Sequence, residues 1–273
     1  MPELPEVETI VRNCRPRLEG RRIVTFTSRW AKQVSPSAAQ VRRALVDRTI
    51  VQLTRRAKFI VFHLDDGGRL LVHLRMSGRF EWASDHARLP AHIRATWDLD
   101  DGGRLLFCDA RKFGRIIYTR DLAAATASLG PEPLERAFTP AVLKQILHRR
   151  HRQLKPLLLD QTVIAGLGNI YTDEALFRAG LHPAMRSHRL TDDQVRGLHT
   201  AIRAVLRLAI RHHGTSIDWI YPGGWMQERL QVYGRAGEPC RRCGTSIVAL
   251  RLAQRGTHIC PKCQRRNGTT AEI

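Results

Sequence analysis

Four cysteines near the carboxyl end constrain this 273-residue chain more than any other feature. Cys240-x-x-Cys243 and Cys260-x-x-Cys263 are separated by 16 residues. That is the spacing of two knuckles closing one tetrahedral zinc site, with four thiolates and no open position for catalysis. The segment from about Tyr233 onward is polar and turn-rich. It must fold around an ion rather than an apolar core, so one structural Zn2+ is expected. Two chance pairs or two disulfides would suit an oxidising compartment. The amino terminus has no apolar signal-peptide core, and no run approaches the 18 or more apolar residues of a membrane span. A cytoplasmic protein is expected. Between the knuckles, Arg251 to Thr257 predicts a hairpin bearing Arg251 and Arg255, a shape that can enter a nucleic-acid groove.

Charge narrows the partner. Lys and Arg number 45 against 25 Asp and Glu, a net charge of +20 with no acidic block to balance it. Such a surface calls for a polyanion, nucleic acid above all, although charge alone also suits a ribosomal or membrane-surface protein. At 43% hydrophobic residues the chain can form a core, and its length allows two domains.

Periodicity divides the chain. Val7, Ile10, Val11, Cys14 and Leu18 share one face of a helix expected from Pro5 to near Gly20. Short strand-like runs follow at 58–64, 69–74, 104–108 and 114–118. Two turns are near copies, Leu64-Asp-Asp-Gly-Gly-Arg-Leu-Leu71 and Leu99-Asp-Asp-Gly-Gly-Arg-Leu-Leu106, each a hairpin signal built on shared turn chemistry. Regular short strands without long helices between them predict a sandwich or barrel. Gly130-Pro-Glu-Pro133 reads as a linker, and helical signals follow it. Thr139-Pro140 is a cap with Pro at the first position. Thr191-Asp-Asp-Gln194 is a capping box leading an apolar stripe from Val195 to Ile210, stopped at Gly214. Gly166-Leu-Gly-Asn169 opens a shorter helix ending near Gly180. The fold class is therefore α+β and multidomain. Its divisions are a β-sandwich with a leading helix over 1–130, a helical domain over 131–232 and a zinc ribbon over 233–267.

The other end of the chain is Met1-Pro2-Glu3-Leu-Pro-Glu6. If Met1 is removed, Pro2 offers a secondary amine that can attack an electrophilic carbon and pass through an iminium ion. Glu3 and Glu6 would stand beside it as acid or base. An ordinary helix start explains the same residues, because Pro suits the first turn and acids suit the dipole. Lys58 raises a separate question. The chain has 39 Arg and six Lys, so a Lys at the start of a strand suggests a need for a titratable amine.

Taken together, the chain resembles the bacterial formamidopyrimidine-DNA glycosylases. The resemblance rests on Pro2-Glu3-Leu-Pro-Glu6, Lys58, His73-Leu-Arg-Met76-Ser-Gly, Asp109-Ala-Arg111-Lys-Phe113-Gly, Lys155-Pro-Leu-Leu-Leu-Asp-Gln161, Gly166-Leu-Gly-Asn169-Ile-Tyr171, Val232-Tyr-Gly-Arg235 and the four cysteines, in that order along the whole chain. It implies an eight-stranded β-sandwich, a helix–two-turn–helix domain and a zinc ribbon, with duplex DNA in a cleft. It further implies a monomeric, nucleoid-associated repair enzyme that removes oxidised purines and then nicks the strand by β,δ-elimination. Pro2 would be the nucleophile at C1′, Glu3 the acid/base, Glu6 a supporting carboxylate and Lys58 the partner in β-elimination. Arg255 would serve δ-elimination, although a guanidinium is a poor proton donor and phosphate clamping suits it better. A flipped base leaves a hole. Met76 and Phe113 would fill it and Arg111 would bond the orphaned partner base, the alternative for Met76 and Phe113 being core packing. Asn169, at a helix start behind a Gly-rich loop, would bind phosphate. His73, His92, His151 and Lys155 resemble further DNA contacts, with a plain surface role open for His92 and His151.

One stretch departs from the family. Thr215 to Gln227 aligns with the lesion-recognition loop yet is several residues shorter and rich in aromatics. Trp219, Tyr221 and Trp225 either stack on a flipped base or pack on the helical domain. The departure leaves two alternatives in view: an endonuclease VIII-like glycosylase for oxidised pyrimidines, and a non-catalytic zinc-ribbon DNA-binding protein.

Overall fold

A computed structural model describes residues 1–83, 89–216 and 223–265. The chain forms two compact units, one of 1–128 with 214–224, the other of 129–213 with 225–273.

In the first unit, α1 (Leu4–Leu18) buries Val7, Val11, Cys14 and Leu18 of the predicted stripe, and Ile10 packs half-buried against the same core. Polar bonds also fasten it to β3 (Ile50–Arg56). Arg15 Nε donates to Leu53 O at 2.9 Å, Leu53 N donates to Glu19 Oε1 at 2.7 Å, and Arg55 pairs with Glu8 at 3.1 Å. The remaining elements are β1 (Ile23–Ser28), β2 (Val34–Ser35), α2 (Ala38–Leu45), β4 (Phe59–Leu64), β5 (Arg69–His73), β6 (Gly78–Trp82), β7 (Ile93–Leu99), β8 (Arg104–Asp109), β9 (Arg115–Thr119) and α3 (Leu122–Ala125). The strands make a four-stranded sheet in the order β1-β7-β8-β6 and a five-stranded sheet in the order β2-β9-β5-β4-β3. The sandwich expected from the strand spacing is therefore present. It has nine strands among the described residues, the addition to the expected eight being the two-residue β2, which pairs parallel to β9. Phe26, Phe62, Trp97 and Phe107 fill one core, shared with the α1 stripe. Burying each such side chain contributes about 1.5–3 kcal/mol.

The twin turns behave alike. Leu64 N and Leu99 N donate to Gly68 O and Gly103 O, and Asp66 and Asp101 each accept from the amide two residues on. One turn joins β4 to β5 and the other joins β7 to β8, so each sheet uses it once.

The second unit contains α4 (Pro140–His148), α5 (Leu154–Leu158), α6 (Asn169–Ala179), α7 (Asp192–Arg211) and the hairpin of β10 (Val248–Leu252) and β11 (Arg255–Ile259). Both predicted caps are made: Val142 N donates to Thr139 Oγ1, and Thr191 and Gln194 close their box. The Gly130 segment is bound rather than loose, since Gly130 N donates to Gln161 O and Ala165 N to Pro131 O. Glu174 on α6 is buried and ties down the approach to the ribbon. Its carboxylate accepts from Gln231 N, Val232 N and Tyr233 N at 2.8–3.0 Å. No helix among the described residues is long and apolar enough to cross a membrane.

Candidate active site

The amino terminus is folded into the first unit. Pro2 and Glu3 are buried, and α1 begins directly after them. Glu6 is fully buried and acts as a clip. Its Oε2 accepts from Glu3 N at 2.7 Å, and its Oε1 accepts from Thr215 N at 2.8 Å. One carboxylate thus fixes both the start of the chain and the neck of the loop that follows α7. Gly214 permits this approach: its φ is +80°, and a Cβ there would stand 2.6 Å from Glu6 Oε1. The neck closes through Ser216, whose hydroxyl donates to Gly224 O at 2.7 Å and accepts from Gly224 N at 3.2 Å. Trp219 and Tyr221 lie outside the described residues. Trp225 is 60% exposed, so the packed alternative does not hold for it.

The electrostatics of this terminus are those a nucleophilic amine needs. The amine belongs to Met1, one residue before Pro2. Burial holds it below the ordinary α-amine value and Lys58 pushes the same way, while Glu3 and Glu6 oppose them. Lys58 is only 3% exposed. It does not start β4, as the sequence suggested, but sits in the two-residue turn before it. There Ala57 takes a φ of 53° and Arg55 Nη1 bonds Ala57 O at 3.0 Å. A tight hairpin end presents the amine more rigidly than a strand start would.

His73 ends β5 and is buried, its ring edge-on to Phe59 at 4.8 Å. Burial, with Arg75 and Lys58 nearby, pushes its pKa down to about 3. Its Nδ1 accepts from Arg75 N at 3.0 Å, so the neutral ring carries its proton on Nε2. His73 is a neutral donor rather than a cation.

Met76 and Phe113 are 43% and 46% exposed, which rejects core packing for both. Arg111 lies over the Phe113 ring at 5.0 Å. The two turns that carry these residues share one anchor. Asp109 is fully buried, and its carboxylate accepts from Ser77 Oγ and, at 2.8 Å, from Gly114 N. Ser77 Oγ in turn accepts from Arg111 N at 3.0 Å. Gly114 leaves no room for a side chain, since a Cβ would meet the Phe107 ring at 2.5 Å. His92 is exposed at the same corner, with a φ of 65° and its carbonyl accepting from Asp109 N.

In the second unit, Asn169 opens α6, and its Nδ2 donates to Gly256 O at 3.0 Å. Lys155 is fully buried. Its ammonium pairs with Asp173 Oδ1 at 2.6 Å and donates to Gly256 O at 2.7 Å. A lysine in that position does not offer its charge to a phosphate, so the expectation of a direct DNA contact is revised. Arg255 is exposed at the start of β11, next to the Gly256 carbonyl that these side chains hold. His151 is exposed and stacks on His188 at 4.1 Å, a surface pair among arginines.

The four cysteines fit zinc. Their sulfurs all lie within 4.8 Å of one another and none is in a disulfide. With Zn–S bonds of about 2.3 Å a tetrahedron spaces its sulfurs about 3.8 Å apart, and the sulfur separations here include 4.0, 3.4 and 3.5 Å. Arg242 N and Cys263 N point at Cys240 Sγ and Cys260 Sγ, hydrogen bonds that favour thiolates.

Comparison with known proteins gives this arrangement a family. Residues 1–116 match the formamidopyrimidine-DNA glycosylase N-terminal domain, 129–220 the H2TH domain of the same enzymes, and 237–266 a zinc finger found in FPG and IleRS. The formamidopyrimidine-DNA glycosylase of Chloroflexus aurantiacus is 44% identical over 97% of this chain and 98% of its own. The chain belongs to the formamidopyrimidine-DNA glycosylase family. The Chloroflexus aggregans relative is 45% identical over the same shares. Among solved structures, MutM in complex with DNA containing carbocyclic 8-oxo-G matches with a TM-score of 0.92 at 37% identity, covering 97% of this chain and all of that one. Lactococcus lactis Fpg with DNA containing N7-benzyl-Fapy-dG matches with the same score, identity and coverage.

Two acids of the site have no role assigned from the sequence. Asp109 is followed by Ala-Arg-Lys-Phe-Gly and binds the amide of Gly114, so an acid just before a basic turn is a readable signal for it. Asp173 binds the amide of His258, 85 residues away, and nothing local marks it.

Proposed function

We propose that this protein is a base-excision repair glycosylase that removes oxidised purines from duplex DNA and then cleaves the strand as an AP lyase. The observation that carries the reading is the start of the chain, where Pro2 and Glu3 are buried behind an exposed Met1, held by Glu6 and close to Lys58. A binding protein has no use for a desolvated amine beside two carboxylates and a lysine. Membership of the glycosylase family supplies the substrate class.

Removal of Met1 frees the Pro2 amine. In its neutral form, which burial favours, the nitrogen bonds C1′ of the damaged nucleotide as the C1′–base bond breaks and the base leaves with a proton. Glu3 manages protons at the sugar. The C1′–O4′ bond then breaks, with Glu3 giving O4′ a proton, and the adduct opens to an iminium. The iminium acidifies C2′, and loss of that proton expels the 3′ phosphate. A second elimination expels the 5′ phosphate, with Arg255 holding the leaving group as a bidentate guanidinium. Met76 and Phe113 fill the space left by the flipped nucleotide, and Arg111 bonds the orphaned base. His73 donates through Nε2 to a backbone phosphate, and Asn169 adds the amides of a helix start. His92 and His151 stand as exposed contacts along the duplex. The protein works on DNA in the bacterial cytoplasm, as a monomer.

Borohydride trapping tests this reading on two duplexes, one with 8-oxoguanine opposite cytosine and one with dihydrouracil. A covalent adduct mainly on 8-oxoguanine, lost in Pro2→Gly, is the expected result. An adduct mainly on dihydrouracil would move the enzyme to oxidised pyrimidines. No adduct on either duplex, or an intact mass that retains Met1, would sink the Schiff-base mechanism.

A further inference from the structure

We propose that Asp173 and Lys155 are positioning residues that set Arg255 by fixing the tip of the zinc-ribbon hairpin. The inference rests on the reading above, in which Arg255 acts on the phosphate expelled in the second elimination.

Asp173 is 1% exposed and spends both carboxylate oxygens. Oδ1 holds the Lys155 ammonium at 2.6 Å, and Oδ2 accepts from His258 N on β11 at 2.9 Å. Lys155 passes the grip on, donating to Gly256 O at 2.7 Å. Asn169, one helical turn before Asp173 on α6, donates to the same carbonyl at 3.0 Å. Three side chains from α5 and α6 therefore clamp Gly256, which follows directly on Arg255, and His258 beyond Thr257. The hairpin needs such a clamp. Its two-residue turn is Ala253-Gln254, with φ of 44° and 64°, and has no glycine to ease the left-handed backbone. Leu252 pairs with Arg255 as the last rung before that turn. Without the clamp, the residue bearing the guanidinium sits one step from a turn of unfavourable backbone, on a rung with nothing beyond it. Burial decides between this role and a direct phosphate contact. The Lys155 side chain is 0% exposed, and its charge is already matched by Asp173.

The test uses full-length, zinc-loaded protein on a duplex carrying a preformed abasic site. Wild type, Lys155→Met, Arg255→Ala and the double variant are compared by the ratio of β to β,δ product, counted per Schiff base trapped. Lys155→Met should shift the ratio toward β product by tenfold or more, and adding it to Arg255→Ala should shift it no further. The slope of log affinity against log salt should match wild type. A slope smaller by about one would mean that Lys155 meets a phosphate directly and would overturn the inference. So would a double variant shifted beyond Arg255→Ala, or an Arg255→Ala ratio equal to wild type. Failure of wild type to trap at all is a different result and would refute the Pro2 reading instead. Should Lys155→Met lose zinc or melt early, Asp173→Asn carries the same expectations, since it keeps the side-chain shape and an acceptor for His258 N.

Discussion

Asp109→Ala should separate base flipping from sugar chemistry, because Asp109 ties the two turns that carry the proposed wedge and, among the described residues, bonds nothing at the amino terminus. Its carboxylate satisfies two buried donors, Ser77 Oγ and Gly114 N. Leaving each unmet costs about 1–3 kcal/mol, so the variant should lose roughly 2–6 kcal/mol of stability. Asp109→Asn keeps one oxygen and should lose about half as much. The kinetic effect should be selective. With Ser77 released, the turn holding Arg111 loses its 3.0 Å tie and the turn holding Met76 loses its partner. Single-turnover excision from an 8-oxoguanine duplex should slow by tenfold or more. Strand cleavage at an abasic site in single-stranded DNA needs no flipping and should stay within about threefold. Equal slowing on both substrates would refute the wedge argument. A stability loss below about 0.5 kcal/mol would refute the count of buried donors.

Three further outcomes follow from the geometry. Gly214→Ala must hold a left-handed φ and place its Cβ 2.6 Å from Glu6 Oε1, so it should lose at least about 1–2 kcal/mol and slow borohydride trapping. Urea melts and trapping rates check both. His73, with its pKa pushed down to about 3, stays neutral while an unfolded histidine protonates near ~6.5, so the unfolded chain binds the extra proton between those values. The stability His73 contributes is therefore fully present above pH ~6.5 and lost on acidification toward 3, at about 1.4 kcal/mol per pH unit. The stability difference between wild type and His73→Phe, measured from pH 7 to 5, should show that slope. Chelation should remove one zinc per chain, lower the thermal midpoint and abolish nicking, with mass spectrometry and a melt reporting each. Nicking that survives metal loss would contradict a structural site.

Local pattern carried much of the fold. The α1 stripe, the twin Asp-Asp-Gly-Gly turns, the cap at Thr139 and the box at Thr191 each depend on residues within four positions of one another, and all formed. Lys58 did not follow suit. An apolar run shows that a strand is near but not where its hairpin turns, and the turn took Ala57 and Lys58 without any glycine or asparagine to announce it. The two-residue β2 was equally silent, because a parallel rung to β9 has no periodicity of its own.

The parts of the site that sequence left dark share one physical cause. Glu6 reaches Thr215 across 209 positions, Asp173 reaches His258 across 85, and Glu174 reaches Val232 across 58. In each case a buried carboxylate accepts backbone amides from a distant segment, and no side-chain motif marks a backbone donor. Charge composition hides them further. A chain of net charge +20 reads as a surface for phosphate, and its 25 acids read as solvated exceptions. Several are instead the fixed points to which the exposed basic and aromatic side chains proposed to meet DNA are tied. Asp109 holds the turns of Met76 and Arg111, Asp173 holds the hairpin of Arg255, and Glu6 holds the amino terminus proposed as the nucleophile. Positive side chains in such numbers repel one another and would splay their loops if nothing buried held the backbone. A carboxylate that bonds amides restrains the loop while leaving the arginine itself free for the phosphate. In this chain, then, the acids that face inward explain how the arginines that face outward can be held in place without being neutralised.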